Sequence, residues 1–329
     1  FKQELVLKEG YVKITGNKAG LNTEVKVWVD VFNPLVHLDI KSNQKTIAEA
    51  GFESWRYEDR LTKGKENNQN SYKWAPQGEV KTFKDSIAVK NNALVFFHQN
   101  KDYSVFDVTV KQQGLEERKG ELFNPLRHLI FGGLLQGTGL VPAGTYTGNY
   151  AGTPFKGWKF KTEKAEKTTA LSITLHTEQT VSLADWEHKL YQSASLAAKN
   201  KNAFEESKNW WKKYWNRSFI NIKSSEEPLA AEVSRNYQLF RYMLGANAFG
   251  TYPTKFNGGL FTYDPVYVDS TLKFTPDFRN WGGGTHTAQN QRLVYWPMLK
   301  SGDTDMMRPQ FDFYMRLMRN AEIRSEFYW

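Results

Sequence analysis

The sequence predicts a large antiparallel β-sandwich followed by helices. The first observation is a period of two that runs from residue 1 to about residue 180. In TEVKVWVDVF, for example, Val25, Val27, Val29 and Val31 share one face and Trp28 lies on the other. The second is a change to helical composition after Ser182. The third is the length of 329 residues, which is enough for more than one hydrophobic core.

Short alternating runs predict the strands of the sandwich. They include SIAVKNNALVFFHQN (86–100), YSVFDVTVKQQ (103–113) and TTALSITLHTE (168–178). Glycine- and asparagine-rich stretches at 64–78 and 137–154 are predicted to be the turns between strands. Many short strands at this spacing are typical of a sandwich. We therefore predict a β-sandwich over residues 1–181.

The helical part of the sequence divides into two segments. Residues 182–226 are predicted to be a helical linker, in which Ser182 caps the first of two helices and Asp185 lies in its first turn. Residues 227–329 are predicted to contain a helix over 230–248 and another from Asp303 onward, with Pro309 in its first turn or at a kink. A long irregular insert, 250–297, separates these two helices. An insert of this length inside a compact domain is usually functional or disordered, and the many aromatic residues of this one favour a functional loop.

Composition excludes several classes of function. The net charge is +9, but lysine outnumbers arginine and no nucleic-acid-binding motif occurs, so we expect a basic surface and no nucleic-acid partner. Cysteine is absent, and no apolar run is long enough for a membrane span. Aromatic residues make up 15% of the chain, which suits both a large core and a cleft that stacks sugar rings. We expect no cofactor and no metal.

The run NWGGGTHTAQNQRLVYWP, residues 280–297, resembles a motif of inverting glycoside hydrolases. Glycoside hydrolase family 95, which contains α-L-fucosidases and α-L-galactosidases, has the form W-G-x-x-x-H-x-N-x-N-x-x-x-x-Y-W-P. The sequence is similar to it without a gap at Trp281, His286, Asn290 and the Tyr-Trp-Pro ending. The resemblance implies a β-sandwich followed by an (α/α)6 barrel, of which 227–329 would be the start.

Two departures from the family pattern qualify this resemblance. The first asparagine of the motif is Ala288, whose methyl group cannot orient a water molecule. In addition, the carboxylates of the family lie downstream of the motif, so the resemblance implies a general acid and a general base beyond Trp329. We therefore expect this chain alone to be inactive, with the remainder of the barrel as its partner.

The resemblance and the residue types together give a set of candidate site residues. Asn290 is the candidate for positioning the attacking water, because its amide both donates and accepts. Trp281 is predicted to stack on sugar or to lie in the core, and His286 to bond a hydroxyl or to be structural. The other candidate substrate contacts are Asn257, Lys255, Arg292 and Asp277.

Each of the remaining polar candidates has a structural alternative. Arg292 would otherwise form a salt bridge within the barrel, and Asp277 would otherwise form a turn or pair with Arg279. Asp303 and Asp305 are predicted to be first-turn residues of a helix.

Tyr295 and Trp296 are predicted to lie in the core rather than in the cleft. Gln291 and Arg292 are not expected to face inward together, because neighbouring side chains on a helix diverge by about 100°.

The function predicted from the sequence is that of an inverting exo-α-glycosidase that acts on a glycan or polysaccharide. The alternatives are an inverting glycoside phosphorylase and a non-catalytic glycan-binding protein on the same scaffold. The chain begins FKQELVLKEG, which has no leader pattern and resembles the start of a mature or trimmed sequence. This start is compatible with removal of a leader, and we expect a periplasmic or extracellular protein.

Overall fold

The structure, a computed structural model, describes residues 1–62, 80–150, 152–222, 228–253 and 289–329. It confirms the predicted fold class, a large antiparallel β-domain followed by helices. The strands are β1 (Lys2–Val6), β2 (Tyr11–Lys18), β3 (Leu21–Val29), β4 (Leu35–Thr46), β5 (Glu49–Ser54), β6 (Arg60–Leu61), β7 (Lys81–Thr82), β8 (Ser86–Lys90), β9 (Ala93–Gln99), β10 (Leu129–Gly137), β11 (Leu140–Tyr150), β12 (Thr153–Thr162) and β13 (Glu166–Gln179).

Six α-helices lie within the described part of the chain. They are α1 (Val105–Gln112), α2 (Leu183–Lys199), α3 (Ala203–Arg217), α4 (Pro228–Ala246), α5 (Gln289–Ser301) and α6 (Arg308–Tyr328). Short 3-10 helices occupy Glu116–Glu121 and Thr304–Met307. Of the helices in the described ranges, none is both long enough and apolar enough to cross a membrane.

Two sheets pack face to face. The larger has the strand order β1-β2-β3-β4-β13-β10-β9-β8, and the smaller has the order β11-β12-β5. Leu94, Leu135 and Leu171 of the larger sheet meet Leu140 and Phe160 of the smaller in one buried cluster. The alternating side chains of the strands thus produce the predicted sandwich core.

The opposite face of the larger sheet is covered by helix α2. Trp186 and Leu190 of α2 are fully buried against Val95, Ile130 and Leu134 of the sheet. Ser182 caps this helix as predicted, because its Oγ accepts a hydrogen bond from the backbone N–H of Asp185 over 3.1 Å. Helix α3 follows after a short turn, so the prediction of two successive helices is confirmed.

The prediction of a strand over residues 103–113 is wrong, since this segment forms helix α1. Ser104 and Asp107 build a capping box, in which each side chain bonds the backbone N–H at the other end of the first turn. The side chain of Asp107 is also paired with Lys119, whose Nζ lies 2.6 Å from its Oδ1. These polar contacts satisfy N–H groups at the start of the helix. The stabilisation that they provide outweighs the preference of the β-branched residues in this segment for a strand.

The prediction of turns over residues 137–154 is also wrong in its middle, where β11 runs from Leu140 to Tyr150. The strand lies at the edge of the smaller sheet, so Pro142 can face away from any ladder partner. The register of β11 against β12 shifts between Pro142 and Thr145. Gly144, at φ +95°, supplies the backbone conformation that this irregularity requires.

An aromatic cluster joins α3 to the later helices. Trp210, Trp211 and Tyr214 of α3 pack against Leu244 of α4 and Tyr295 of α5. A turn of the sandwich also contacts α3, because Trp215 Nε1 donates to the carbonyl oxygen of Leu7 over 2.8 Å. The predicted domain boundaries at 181/182 and 226/227 stay predictions.

The last predicted helix is shorter than expected at its start. Residues 304–307 form a 3-10 turn, and α6 begins only at Arg308. Pro309 occupies the first turn of α6 rather than a kink, where its missing N–H leaves no intrahelical bond unmade.

Candidate functional site

Helix α5 carries the two described residues of the predicted site, Asn290 and Arg292. Its buried stripe consists of side chains spaced three or four residues apart, namely Gln291, Val294, Tyr295 and Met298. Neighbouring side chains on a helix diverge by about 100°. The expectation that Gln291 and Arg292 cannot both face inward is therefore confirmed, and Arg292 is the exposed one.

Asn290 lies in the first turn of α5, at the border of the buried stripe. It is half-buried, between the buried Gln291 and the exposed side of the helix. Within the described ranges its side chain makes no hydrogen bond. Its predicted role in water positioning stays a prediction.

Among the described residues, Arg292 contacts the aromatic ring of Trp296 and no carboxylate. The guanidinium carbon lies 5.1 Å from the ring centroid, one helical turn away. The expected salt bridge is thus replaced, in the described part of the chain, by a cation–π contact. Trp296 is 59% exposed, so its prediction as a core residue is wrong, whereas Tyr295 is 2% exposed and its prediction as core is confirmed.

A buried ion network lies directly after α5. Asp303 is fully buried, and its Oδ2 accepts a hydrogen bond from Nη1 of Arg241 over 2.5 Å. Its Oδ1 lies 3.3 Å from Nη1 of Arg217. Ser301, at the end of α5, also bonds the Asp303 carboxylate. The network therefore links α3, α4 and the end of α5 in one place.

Asp305 lies in the first turn of the 3-10 helix as predicted, with Asp303 just before it, but both carboxylates also pair with arginines. Asp305 forms a two-point pair with Arg217, with distances of 2.6 and 3.0 Å. That hydrogen bonding lowers the pKa of Asp305 and raises the pKa of Arg217. Both carboxylates are thereby paired with arginines. Such pairing suits a structural role better than a role in proton transfer.

Tyr214 completes the network from the side of α3. Its Oη donates to the carbonyl oxygen of Arg241 over 2.6 Å, and Nη2 of Arg241 donates to the carbonyl oxygen of Tyr214 over 3.0 Å. The guanidinium also lies over the tyrosine ring, 4.2 Å from its centroid. Burial raises the pKa of Tyr214. Arg241 was not predicted as a site residue, because nothing in its local sequence marks its distant partners.

A domain profile, DUF5703_N, described as a domain of unknown function, matches residues 1–220. This match covers more than half of the 329 residues. The chain belongs to the DUF5703 family. The DUF5703 match spans the whole sandwich together with α2 and α3, and it ends before α4. Asn290 and Arg292 therefore lie outside the part of the chain that defines the family.

The DUF5703 chain is also distantly similar to solved structures. No curated protein sequence matches the chain. A solved structure from the human microbiome, provisionally named as a kojibiose phosphorylase, is 11% identical and has a TM-score of 0.43. The match covers 78% of this chain, which spans 30% of the length of that structure. Similarity this distant does not carry an activity from that protein to this chain.

Five predicted site residues of the DUF5703 protein lie outside the described residues. They are Trp281, His286, Asn257, Lys255 and Asp277. Their predicted roles stay predictions. Among the described residues, no group of three or more metal-ligating side chains comes together.

Proposed function

We propose that this chain is part of a carbohydrate-active enzyme that cleaves glycosidic bonds in the manner of an inverting exo-α-glycosidase. The observation that carries the proposal is the run from Trp281 to Pro297, which resembles the motif of glycoside hydrolase family 95. The last nine residues of that run form the first turns of α5.

Asn290 is the residue to which the proposal gives a chemical role. An amide offers a donor and an acceptor, so it can hold a water molecule in one orientation without taking its proton. The half-buried position in the first turn of α5 suits that role, because a fully buried amide would be used by the protein itself. The aromatic cluster and the Asp303 network support the helix on which Asn290 stands.

The proposal assigns the general acid and base to carboxylates other than Asp303 and Asp305. Inverting enzymes need two carboxyl groups about 6.5–9.5 Å apart, one of which is protonated. Asp303 is fully buried between two arginines, and Asp305 is held by Arg217. A general acid beside arginine would be ionised, because the positive charge favours the carboxylate.

Non-catalytic glycan binding is the second candidate, and Ala288 is the observation that favours it. The family motif has an asparagine at this place, and an alanine can neither donate nor accept a hydrogen bond. Binding through the remaining polar residues would then persist without turnover. A glycoside phosphorylase, with phosphate in place of water, is a close variant of the first proposal.

Proton NMR of the released sugar tests these candidates. The chain, and any longer natural protein that contains it, is incubated with α-linked fucosides, galactosides and glucosides, with and without phosphate. We expect the longer protein to release the inverted anomer and the chain alone to release none. In the longer protein, Asn290→Ala should lower kcat by about 100-fold because the water loses its orientation. The exposed neighbour Leu293 provides the control variant Leu293→Ala, which should retain activity.

Each alternative outcome has a definite meaning. Appearance of a sugar 1-phosphate only when phosphate is present would favour the phosphorylase. Binding of a sugar without turnover by any form of the protein would favour the glycan-binding candidate. Full activity in Asn290→Ala would remove the role assigned to this residue.

A further inference from the structure

A cleft opens on the helix-covered face of the larger sheet, where α2 ends and α3 begins. Its volume is about 670 Å³. Pockets that bind small molecules usually have volumes of about 300–1,000 Å³. The cleft lies within residues 1–220, the part of the chain matched by the DUF5703 family, and none of its lining residues belongs to α5.

The floor of the cleft is a row of side chains across four neighbouring strands. The register pairs Trp28 with His37, His37 with Ser172, and Ser172 with Gln136. Directly opposed residues in a sheet share a face, so these four side chains point the same way. Three of the four side chains in the row are polar, and Trp28 is the exception. The same face of the sheet is apolar where α2 covers it.

The cleft is open because the side chains of α2 become small towards its end. Trp186 and Leu190 fill the space between helix and sheet in the first part of α2. The lining residues of the last part are Ala194, Ala197 and Ala198. A methyl group covers far less of the sheet than an indole or an isobutyl group does, so the floor stays uncovered.

His37 presents an unused polar atom in the floor. Its ring stacks on Trp28 with the centroids 3.9 Å apart and the planes at 6°. Its Nε2 is buried, and no described residue forms a hydrogen bond with it. Burial also lowers the pKa of His37, which keeps the ring neutral near pH 7. A buried ring nitrogen without a partner is unfavourable, and a small shift of the His37 ring towards the cleft would let a ligand hydroxyl supply the missing bond.

The free polar groups of the cleft are neutral. Within the described ranges, the side chains of Gln136, Ser172 and Asn92 make no hydrogen bonds, and all three line the cleft. The two lining groups that carry charge are engaged: Asp39 Oδ2 accepts from Trp28 Nε1 over 3.0 Å, and Lys201 Nζ donates to the carbonyl oxygen of Ala198 over 3.0 Å. Amides, a hydroxyl and a neutral imidazole are suited to a ligand rich in hydroxyl groups.

We propose that this cleft binds a neutral saccharide of one or two rings. His37 Nε2 bonds a ligand hydroxyl at the floor, and the amide of Gln136 and the hydroxyl of Ser172 bond others beside it. The alanines of α2 form the wall against which the ring packs. The proposal rests on this lining alone and holds whether or not the chain cleaves glycosides.

Saturation-transfer NMR tests the site with defined probes. Glucose, galactose, fucose, maltose and lactose are titrated against the intact chain at millimolar concentrations, with glucose 6-phosphate as the charged comparison. The variant Ala197→Trp fills the cleft, and Ala184→Trp places the same side chain on an exposed part of α2 as its matched control. We expect at least about tenfold weaker binding of the preferred neutral sugar in Ala197→Trp and unchanged binding in Ala184→Trp.

A second variant keeps the test valid if Ala197→Trp folds poorly. His37→Phe preserves an aromatic ring against Trp28 and removes both ring nitrogens, so we expect weaker sugar binding with little loss of stability. The proposal is overturned if no neutral sugar binds, if both variants bind like the wild type, or if glucose 6-phosphate binds better than glucose. Asn290→Ala, tested in parallel, should leave this binding intact even where it lowers turnover, which separates the cleft from the proposed catalytic function.

Discussion

Arg241 and Asp303 form a buried ion pair that joins two helices far apart in sequence. Nη1 of Arg241 lies 2.5 Å from Oδ2 of Asp303, although the two residues are 62 positions apart in the sequence. Their side chains are only 2% and 0% exposed. Since Arg241 belongs to α4 and Asp303 follows the end of α5, the pair fixes the helix that carries Asn290.

Removing one partner of this pair should be strongly destabilising. We expect Asp303→Asn to lower the free energy of unfolding by about 3–5 kcal/mol, because Arg241 would remain buried without a counter-charge. Urea denaturation followed by tryptophan fluorescence measures the change. The paired replacement Arg241→Met with Asp303→Leu should recover much of the loss, because it removes both charges together.

Asp305 provides the matched control for this prediction. It also pairs with Arg217, but its side chain is 47% exposed. Exposed ion pairs contribute about 0–1 kcal/mol, so Asp305→Asn should have a small effect. If Asp303→Asn and Asp305→Asn lowered the free energy of unfolding by the same amount, burial would not determine how much each ion pair contributes to stability.

The sequence predicted the sandwich because its strands alternate over long stretches, and it failed where local contacts overrode composition. Val105, Val108 and Val110 favour a strand, yet α1 forms because Ser104 and Asp107 cap it. The spacing of three between a serine and an acidic residue was the available signal. In β11 the opposite occurred: Pro142 and Gly144 indicate a turn, but an edge strand with an irregular register accommodates both.

The site was only partly predictable for a different reason. The exposure of Trp296 depends on how α5 is rotated, and four consecutive apolar residues, LVYW, cannot all face one side of a helix. The sequence of α5 does not show which of these four residues face the core and which face solvent. The partners of Asp303 come from α3 and α4, so only the folded arrangement reveals that this carboxylate is buried and paired.

Glu121 should make the attachment of α6 sensitive to pH. It lies between Arg118 and Arg319, and Nη2 of Arg319 is 2.8 Å from its Oε2. These hydrogen bonds lower the pKa of Glu121 from 4.5 to about 2. Because the folded state binds the proton less tightly than the unfolded state, the stabilisation is present above pH 4.5 and is lost as the pH falls towards 2.

The comparison of wild type with Glu121→Gln measures this contribution. We expect the difference in Tm to be largest above pH 4.5, to shrink towards pH 2, and to fall with added salt because the groups are exposed. Glu117→Gln, on the same 3-10 helix, is the control, since Glu117 has no ion pair within the described ranges. A difference in Tm that is the same at every pH would contradict the assignment.

Ser104 should contribute measurably to stability through the cap of α1. Its Oγ accepts a hydrogen bond from the backbone N–H of Phe106, while Asp107 bonds the backbone N–H of Ser104 over 2.6 Å. We expect Ser104→Ala to cost about 1 kcal/mol in urea denaturation. Ser195→Ala, at an exposed position inside α2, should change stability by less than about 0.5 kcal/mol. A loss in Ser104→Ala no larger than this control would mean that the capping box does not stabilise α1.

The neighbours Tyr295 and Trp296 should respond oppositely to truncation, because they lie on different sides of α5. Tyr295 is 2% exposed within the aromatic cluster, so Tyr295→Ala should cost about 3 kcal/mol or more through the cavity that it leaves. Trp296 is 59% exposed, and Trp296→Ala removes mainly its contact with Arg292, at a cost of about 0.5–1 kcal/mol. Arg292→Ala should reproduce that smaller loss. If Trp296→Ala proved the more damaging of the aromatic variants, α5 would be rotated relative to the structure, and Asn290 would no longer lie at the border of its buried stripe.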